Sequence, residues 1–167
     1  MGAGKSSVGR ALGKRLNWKF EDLDDRIEQR QGRSVAEIFS AGGEQEFRRA
    51  ERAALKEVLE ALPRGSSRIV ALGGGAFVQK GNIALLKAAR VPSIFLDAPV
   101  EELWRRCQEQ AGKVGAQRPL LGSRERFCAL YEARLSAYSK ASRRVETGSR
   151  SAEEIADEIV RTLSLRN

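Results

Sequence analysis

The first residues of the chain have the types and spacing that bind phosphate. Gly4, Lys5 and Ser6 match the last three positions of the pattern G-x-x-x-x-G-K-[ST], in which backbone amides wrap the phosphates, the lysine reaches the β- and γ-phosphates and the hydroxyl binds Mg²⁺. The first glycine of the pattern would fall ahead of Met1, and a short glycine-rich start also fits a frayed terminus. The apolar residues that follow have helical spacing: Val8, Ala11, Leu12 and Leu16. The loop therefore opens into a helix whose amino end attracts anions, which favours a nucleotide as the ligand.

Carboxylates and glycines follow two predicted strands. Residues 18–21 alternate apolar and polar side chains, and the carboxylates of Asp22 and Asp24 come directly after them. The apolar run 68–72 is typical of a strand buried on both faces of a parallel sheet. It stops at the triplet 73–75, where three glycines let the backbone approach a ligand closely. Simpler interpretations stay open, because either aspartate could cap the following helix and the glycines could form a turn.

Arginines occupy the predicted helices and one predicted loop. Arg48 lies near the start of a long helix predicted over 44–62, and Arg134 lies on a later helix with strong apolar periodicity. Taken singly, each is typical of a solvated helix residue. Residues 111–122 contain several glycines and no apolar periodicity, which predicts a mobile loop that carries Arg118.

Helices and strands alternate along the chain. The capping-box residues Ser34 and Glu37 begin a helix, which the pair Gly42 and Gly43 interrupts. The later elements are predicted as a helix over 82–89, a strand over 91–97, a helix carrying Arg106, a strand over 144–146 and a final helix after Ser151. This alternation predicts an α/β fold with a parallel sheet flanked by helices, whose ligands bind at the carboxyl ends of the strands.

Composition limits the class of protein. A chain of 167 residues with 41% hydrophobic content can bury one sizeable core, so we predict a single domain over 1–167. The net charge of +8 attracts anions, but the basic residues are dispersed among acidic ones, which argues against a nucleic-acid site. The sequence has no apolar run of membrane-spanning length and no signal-peptide pattern, which predicts a cytoplasmic protein. Cys107 and Cys128 lack metal-ligand spacing and are interpreted as reduced packing residues.

Five motifs in order resemble those of the shikimate kinases, small P-loop enzymes that phosphorylate shikimate with ATP. The motifs occupy residues 2–9, 20–28, 43–49, 73–75 and 118–121. The resemblance covers essentially the whole chain and implies a three-layer P-loop kinase fold. It also implies a substrate-binding helical region over 24–55, a lid over 108–122, and a monomer that binds ATP and shikimate without membrane or nucleic-acid partners.

The resemblance implies three groups of site residues. The nucleotide group comprises Gly2, Ala3, Gly4, Lys5, Ser6, Ser7, Arg106, Arg118 and Arg150. The substrate group comprises Asp24, Arg48, Gly73, Gly74, Gly75 and Arg134. Mg²⁺ is implied at Ser6 and at Asp22, which reaches the ion through water. Lys5 is expected to balance phosphate charge, Asp24 to orient the 3-hydroxyl and receive its proton, and Arg118 to close over the phosphates.

The start of the chain departs from the family pattern. Family members place a hydrophobic strand and the first P-loop glycine ahead of the position of Met1, and the resemblance implies that this strand lies in the middle of the sheet. Losing roughly three or four buried aliphatic side chains would remove about 5–10 kcal/mol, against a net domain stability of about 5–15 kcal/mol. We therefore expect that the written chain is truncated and that a chain begun at Met1 folds poorly.

Two other functions stay open. A related small-molecule kinase, such as a gluconate kinase, would share the P-loop but lack the pairing of Asp22 with Asp24 and of Arg48 with Arg134. A non-catalytic binding protein derived from a kinase would follow if the shortened P-loop does not bind nucleotide.

Overall fold

The structure is a computed structural model that describes residues 2–62, 67–114 and 123–165. Within these ranges, helices and parallel strands alternate as predicted. The strands are β1 (Lys19–Asp22), β2 (Arg68–Ala71), β3 (Ile94–Asp97) and β4 (Arg143–Glu146). The helices are α1 (Lys5–Leu16), α2 (Leu23–Gln31), α3 (Val35–Glu60), α4 (Lys80–Ala88), α5 (Val100–Val114), α6 (Arg124–Tyr138) and α7 (Ala152–Leu163), with a 3-10 turn at Ala76–Val78.

Local capping chemistry explains where several helices begin and end. The predicted capping box before α3 forms, because the Ser34 hydroxyl accepts from the Glu37 amide while the Glu37 carboxylate accepts from the Ser34 amide. Ser151 and Glu154 form the same reciprocal pair at the start of α7. The predicted break near Gly43 is confirmed as a kink within α3, where φ is 68° and ψ is −171°. Only glycine adopts that conformation readily, so the two halves of α3 diverge at this residue.

The strands form two parallel pairs with an apolar cavity between them. β1 pairs with β2, and β3 pairs with β4. Consecutive residues of β2 and β3 line a cavity of about 490 Å³, together with apolar side chains from α1, α3 and α7. The cavity thus lies along the facing edges of β2 and β3. Arg68, Ile69 and Val70 are consequently half-buried, which corrects the prediction of a strand buried on both faces.

Three clusters of buried side chains hold the helices on these strands. The largest joins α2, α3 and α4 around Leu23, Ile27 and Leu55. A second packs α1 against α7, and a third packs the residues around Ala3 against α5 and α6. The third cluster contains Ala3, just before α1, and the second contains Val8 in its first turns, so buried contacts lie on either side of residues 4–6 in the chain.

Two predicted boundaries are wrong. Residues 111–114 belong to α5, which ends at Val114, so the predicted loop over 111–122 begins inside a helix. The predicted lid over 108–122 includes the end of this helix and stays a prediction. Gly112 lowers the stability of the helix by only about 1 kcal/mol relative to alanine, and neighbouring residues with high helix propensity offset this loss. The remaining part of that segment, including Arg118, lies outside the described residues. β3 begins at Ile94, three residues after the predicted start.

Among the described residues, none of the helices combines the length and the apolar character that a membrane span requires.

Candidate active site

The phosphate-loop residues lead directly into the amino end of α1. Gly4 is the residue before the helix, with φ at 76°, and Lys5 is the first residue within it. Gly2 also has positive φ, and a Cβ on it would overlap the carbonyl oxygen of Leu103 on α5. Ala3 is buried beside Leu103, whereas Ser7 is exposed. The backbone here follows a path that glycine allows, and it presents the amides and positive dipole end of a 12-residue helix to an anion.

Ser6 and Asp22 meet at the end of β1. The Ser6 hydroxyl donates to Oδ2 of Asp22 over 3.0 Å, and Oδ1 of Asp22 accepts from the backbone amide of Asp24 over 3.1 Å. Asp22 therefore caps α2, as the simpler interpretation predicted, and also faces the phosphate loop. No cluster of three or more His, Cys, Asp or Glu side chains suited to a metal occurs in the described part of the chain. One carboxylate beside one hydroxyl fits Mg²⁺, which takes few protein ligands and completes its shell with water and phosphate oxygens.

A second group of site residues surrounds the glycine triplet after β2. A Cβ on Gly73 would lie 3.0 Å from Oδ1 of Asp24. A Cβ on Gly75 would lie 2.6 Å from Cζ of Arg48. The absence of side chains on the triplet thus lets a carboxylate from α2 and a guanidinium from α3 approach the same stretch of backbone. This supports close backbone approach over a simple turn for these glycines.

Two glutamates on α3 hold the Arg48 guanidinium. Nη1 of Arg48 donates to both carboxylate oxygens of Glu51, over 3.0 and 2.9 Å, and Nη2 donates to Glu44 over 3.0 Å. The Arg48 side chain is 19% exposed and that of Glu51 is 1% exposed, whereas that of Glu44 is 68% exposed. Arg48 is therefore anchored from its buried side and accessible from the other. The solvated-helix interpretation of Arg48 does not describe this arrangement.

Glu51 is the site residue that the sequence interpretation missed. Burial raises its pKa above 4.5, and the charge of Asp24 raises it further, while the charges of Arg48 and Arg134 oppose the shift. Its charge is thus coupled to three residues predicted to bind substrate. The available signal was its position, because residue 51 falls on the apolar face of α3 among Phe47, Ala54 and Leu55. A charged residue on a buried helix face requires a partner.

Arg134 reaches the same pocket from α6. It is half-buried, and its charge affects the pKa of Glu51. Burial raises the pKa of Tyr138, one turn later on α6, and the nearby charge of Arg134 opposes part of that rise. The structure therefore brings Arg48 and Arg134 to one pocket, although they lie on different helices and far apart in sequence.

The residues predicted to hold the adenine edge lie elsewhere. Arg106 on α5 donates to Oγ1 of Thr147 over 3.3 Å and to the carbonyl of Gly148, so it contacts the loop that leads to Arg150. Arg150 instead pairs with Glu158 over 2.5 Å and donates to the carbonyl of Glu146. The structure brings Arg106 to the predicted segment, while the Arg150 guanidinium is engaged by α7. The position of Arg118 lies outside the described residues.

The geometry provides an anion site, a hydroxyl–carboxylate pair and a cationic pocket with its own carboxylate. These parts suit the transfer of a phosphoryl group from a nucleotide to a hydroxyl on an anionic substrate.

The family model described as shikimate kinase matches residues 1–164. The shikimate kinase of Cereibacter sphaeroides is 40% identical over 99% of this chain and 80% of the relative, and that of Geobacter sulfurreducens is 40% identical over 95% and 84%.

Solved structures agree with these sequence comparisons. Shikimate kinase from Acinetobacter baumannii in complex with shikimate superimposes with a TM-score of 0.82 at 32% identity, covering 98% of this chain and 88% of that one. The crystal structure of shikimate kinase from Aquifex aeolicus gives a TM-score of 0.79 at 32% identity, covering 98% and 92%. The α/β P-loop kinase fold predicted from the sequence is confirmed.

Proposed function

Because the chain belongs to the shikimate kinase family, we propose that it transfers the γ-phosphoryl group of ATP to the 3-hydroxyl of shikimate. The products are shikimate 3-phosphate and ADP. The observation that supports this most directly is the meeting of Arg48 and Asp24 at the glycine triplet 73–75. One pocket there offers a guanidinium for a carboxylate and a carboxylate for a hydroxyl, which are the two kinds of polar group that shikimate carries.

The phosphates of ATP bind at the start of α1 in this proposal. The amides of residues 2–7 wrap them, and Lys5 balances the charge of the β- and γ-phosphates. Ser6 and Asp22 would hold Mg²⁺, and their 3.0 Å contact supports this assignment. When bound, the ion neutralises charge that develops on the phosphate oxygens. Arg106 and Arg150 are proposed for the adenine edge, and Arg118 for the lid.

Shikimate binds in the pocket formed by α2, α3, α6 and the glycine triplet. Arg48 and Arg134 hold its carboxylate, because a planar guanidinium can bind both carboxylate oxygens and so orient the ring. Asp24 accepts a hydrogen bond from the 3-hydroxyl. The hydroxyl oxygen attacks the γ-phosphorus, the bond to the β–γ bridging oxygen breaks, and the hydroxyl proton passes to Asp24. The loose transition state needs little base strength from Asp24, so its main contribution is orientation.

We also propose the oligomeric state and the cellular compartment of the protein. Asp24, Arg48 and Arg134 all come from one chain, so the pocket does not need a second copy, and we propose that the protein acts as a monomer. We propose the cytoplasm as its compartment, because ATP is supplied there. Residues 24–55 supply the helices of the substrate-binding region.

A coupled assay of ADP formation tests this function. We expect ADP formation that requires both shikimate and Mg²⁺, and we expect Asp24→Asn to reduce turnover while ATP affinity is retained. ADP formation with gluconate but not with shikimate would assign the chain to the related kinases instead. Separate binding measurements address the non-catalytic alternative, which requires shikimate binding without ATP binding.

A further inference from the structure

One face of α6 carries two tyrosines that bond to the ends of strands. Phe127, Tyr131, Arg134 and Tyr138 recur at intervals of four, three and four residues, which places them on a single helix face. The Tyr131 hydroxyl donates to Oδ1 of Asp97 over 2.7 Å, and the Tyr138 hydroxyl donates to the carbonyl oxygen of Gly74 over 2.7 Å. Arg134 lies between these two attachment points. The helix that carries Arg134 is therefore fixed to the strand ends on both sides of it.

Tyr138 differs from Tyr131 in what its hydroxyl contacts. A phenol can donate one hydrogen bond while accepting others. The Tyr138 hydroxyl donates a hydrogen bond to the Gly74 carbonyl, and the guanidinium of Arg134, one helical turn earlier on the same face, lies near enough for its charge to act on the hydroxyl. Its ring packs against Phe95 of β3, with ring centroids 5.3 Å apart, so the side chain has little freedom to rotate away. The Tyr138 side chain thus ties the helical turn that carries Arg134 to the glycine triplet.

We propose that Tyr138 is a positioning residue that sets the orientation of Arg134 toward the substrate carboxylate. The proposal deepens the proposed function and rests on it for the identity of the substrate. The Gly74 carbonyl fixes the hydroxyl, and the hydroxyl fixes the guanidinium of Arg134 one helical turn away. An arginine that is already oriented loses less side-chain entropy when its ligand binds. The effect falls on shikimate affinity, because the hydroxyl of Tyr138 bonds to the glycine triplet that lines the proposed shikimate pocket.

Tyr131 provides a matched control on the same helix face. Its hydroxyl makes a bond of the same length, but the acceptor is Asp97, which also pairs with Arg144 and lies outside the predicted shikimate pocket. Tyr131→Phe and Tyr138→Phe each remove one hydroxyl and keep the ring. The two variants therefore differ in their connection to Arg134, and each removes one attachment of α6.

The experiment measures steady-state constants for both variants and for Arg134→Ala, alone and combined with Tyr138→Phe. We expect Tyr138→Phe to raise the KM for shikimate about tenfold, as for loss of a hydrogen bond to a charged group, with kcat and the KM for ATP little changed. Tyr131→Phe should leave the KM for shikimate within about twofold of wild type on the same scale. In the Arg134→Ala background, Tyr138→Phe should add nothing. Equal effects of the two tyrosine variants, or full additivity with Arg134→Ala, would overturn the proposal.

A substrate-free measurement separates this proposal from the proposed function. The Nε–H resonance of Arg134 should be sharp and well dispersed in the wild-type protein and in Tyr131→Phe, and should broaden or move toward the exposed-arginine position in Tyr138→Phe. If the wild-type protein neither binds nor phosphorylates shikimate while this difference is seen, the positioning role stands and the substrate assignment fails. An Arg134 signal unchanged by Tyr138→Phe would reject the positioning role whatever the substrate.

Discussion

Replacing Gly75 with Ala should displace the guanidinium of Arg48 and leave the backbone in place. Gly75 has φ of −88° and ψ of −19°, a conformation that alanine adopts without strain. The new Cβ would lie 2.6 Å from Cζ of Arg48, which is too close for a real contact. The clash involves the far end of a long side chain, so the guanidinium can move while the backbone stays in place. We therefore expect the fold to persist and the position of the Arg48 head group to change.

The magnitude follows from the contacts that a displaced Arg48 can no longer make. A hydrogen bond to a charged group contributes about 1.5–3 kcal/mol, which corresponds to roughly a tenfold to hundredfold rise in the KM for shikimate. The KM for ATP should change little, because the three atoms nearest to the new Cβ all belong to Arg48. Coupled ADP assays at varied shikimate and varied ATP measure both constants, and thermal unfolding reports whether the fold is intact.

Gly81→Ala is the matched control for this substitution. A Cβ at residue 81 would lie 2.9 Å from Cζ of Arg52, which is on α3 one turn after Arg48 but is exposed. The same chemical change therefore displaces an arginine outside the pocket, and we expect kinetic constants close to wild type. If Gly75→Ala leaves the KM for shikimate within about twofold of wild type and retains the fold, Arg48 does not bind the substrate carboxylate. An equal rise in the KM for ATP would contradict the same assignment.

Two further predictions concern ionisable groups of the site. Because burial raises the pKa of Glu51, the folded state takes up a proton more readily than the unfolded state, so the free energy of unfolding of the wild type should rise relative to Glu51→Gln as pH falls from 7 toward 4.5. Urea unfolding at several pH values measures this difference, and parallel curves for the two proteins would contradict it. Asp22→Asn should raise the Mg²⁺ concentration needed for half-maximal activity, because a neutral amide opposite Ser6 attracts the cation less. Chelation of Mg²⁺ should abolish activity in both proteins, and an unchanged Mg²⁺ requirement in the variant would remove Asp22 from the metal site.

The features that could be predicted from sequence are those whose causes are local. The capping boxes at Ser34 and Ser151 and the kink at Gly43 each depend on a few consecutive residues, and all three are present. The position of Asp22 at the end of β1 likewise follows from a short alternating run. Contacts such as that of Ser6 with Asp22 could be anticipated only in outline, because parallel strands place their carboxyl ends at one edge without specifying which atoms meet.

Local sequence patterns do not predict contacts between elements that are distant in sequence. Nothing in the spacing of α6 shows that the Tyr138 hydroxyl meets the Gly74 carbonyl, since that contact depends on how α6 packs against the end of β2. Glu51 was closer to being predictable. Its place on a buried helix face required a partner, and Arg48, three residues earlier on that face, satisfies the requirement. A charged residue on an otherwise apolar helix face therefore predicts an oppositely charged partner three or four residues away on the same helix.

The burial of β2 shows the physical limit of such reasoning most clearly. Its apolar run predicts a strand covered on both faces, yet Ile69 and Val70 remain half-buried beside the cavity that separates β2 from β3. A strand's own residues specify which faces can be buried, but the neighbour along its free edge determines how much surface is removed from water. Covering apolar surface stabilises a fold by about 25 cal/mol per Å², so the contribution of Ile69 and Val70 depends on their neighbours as well as on β2 itself. The residues that follow β1 and β2, which form the proposed substrate pocket, are placed by the parallel pairing of these two strands with each other.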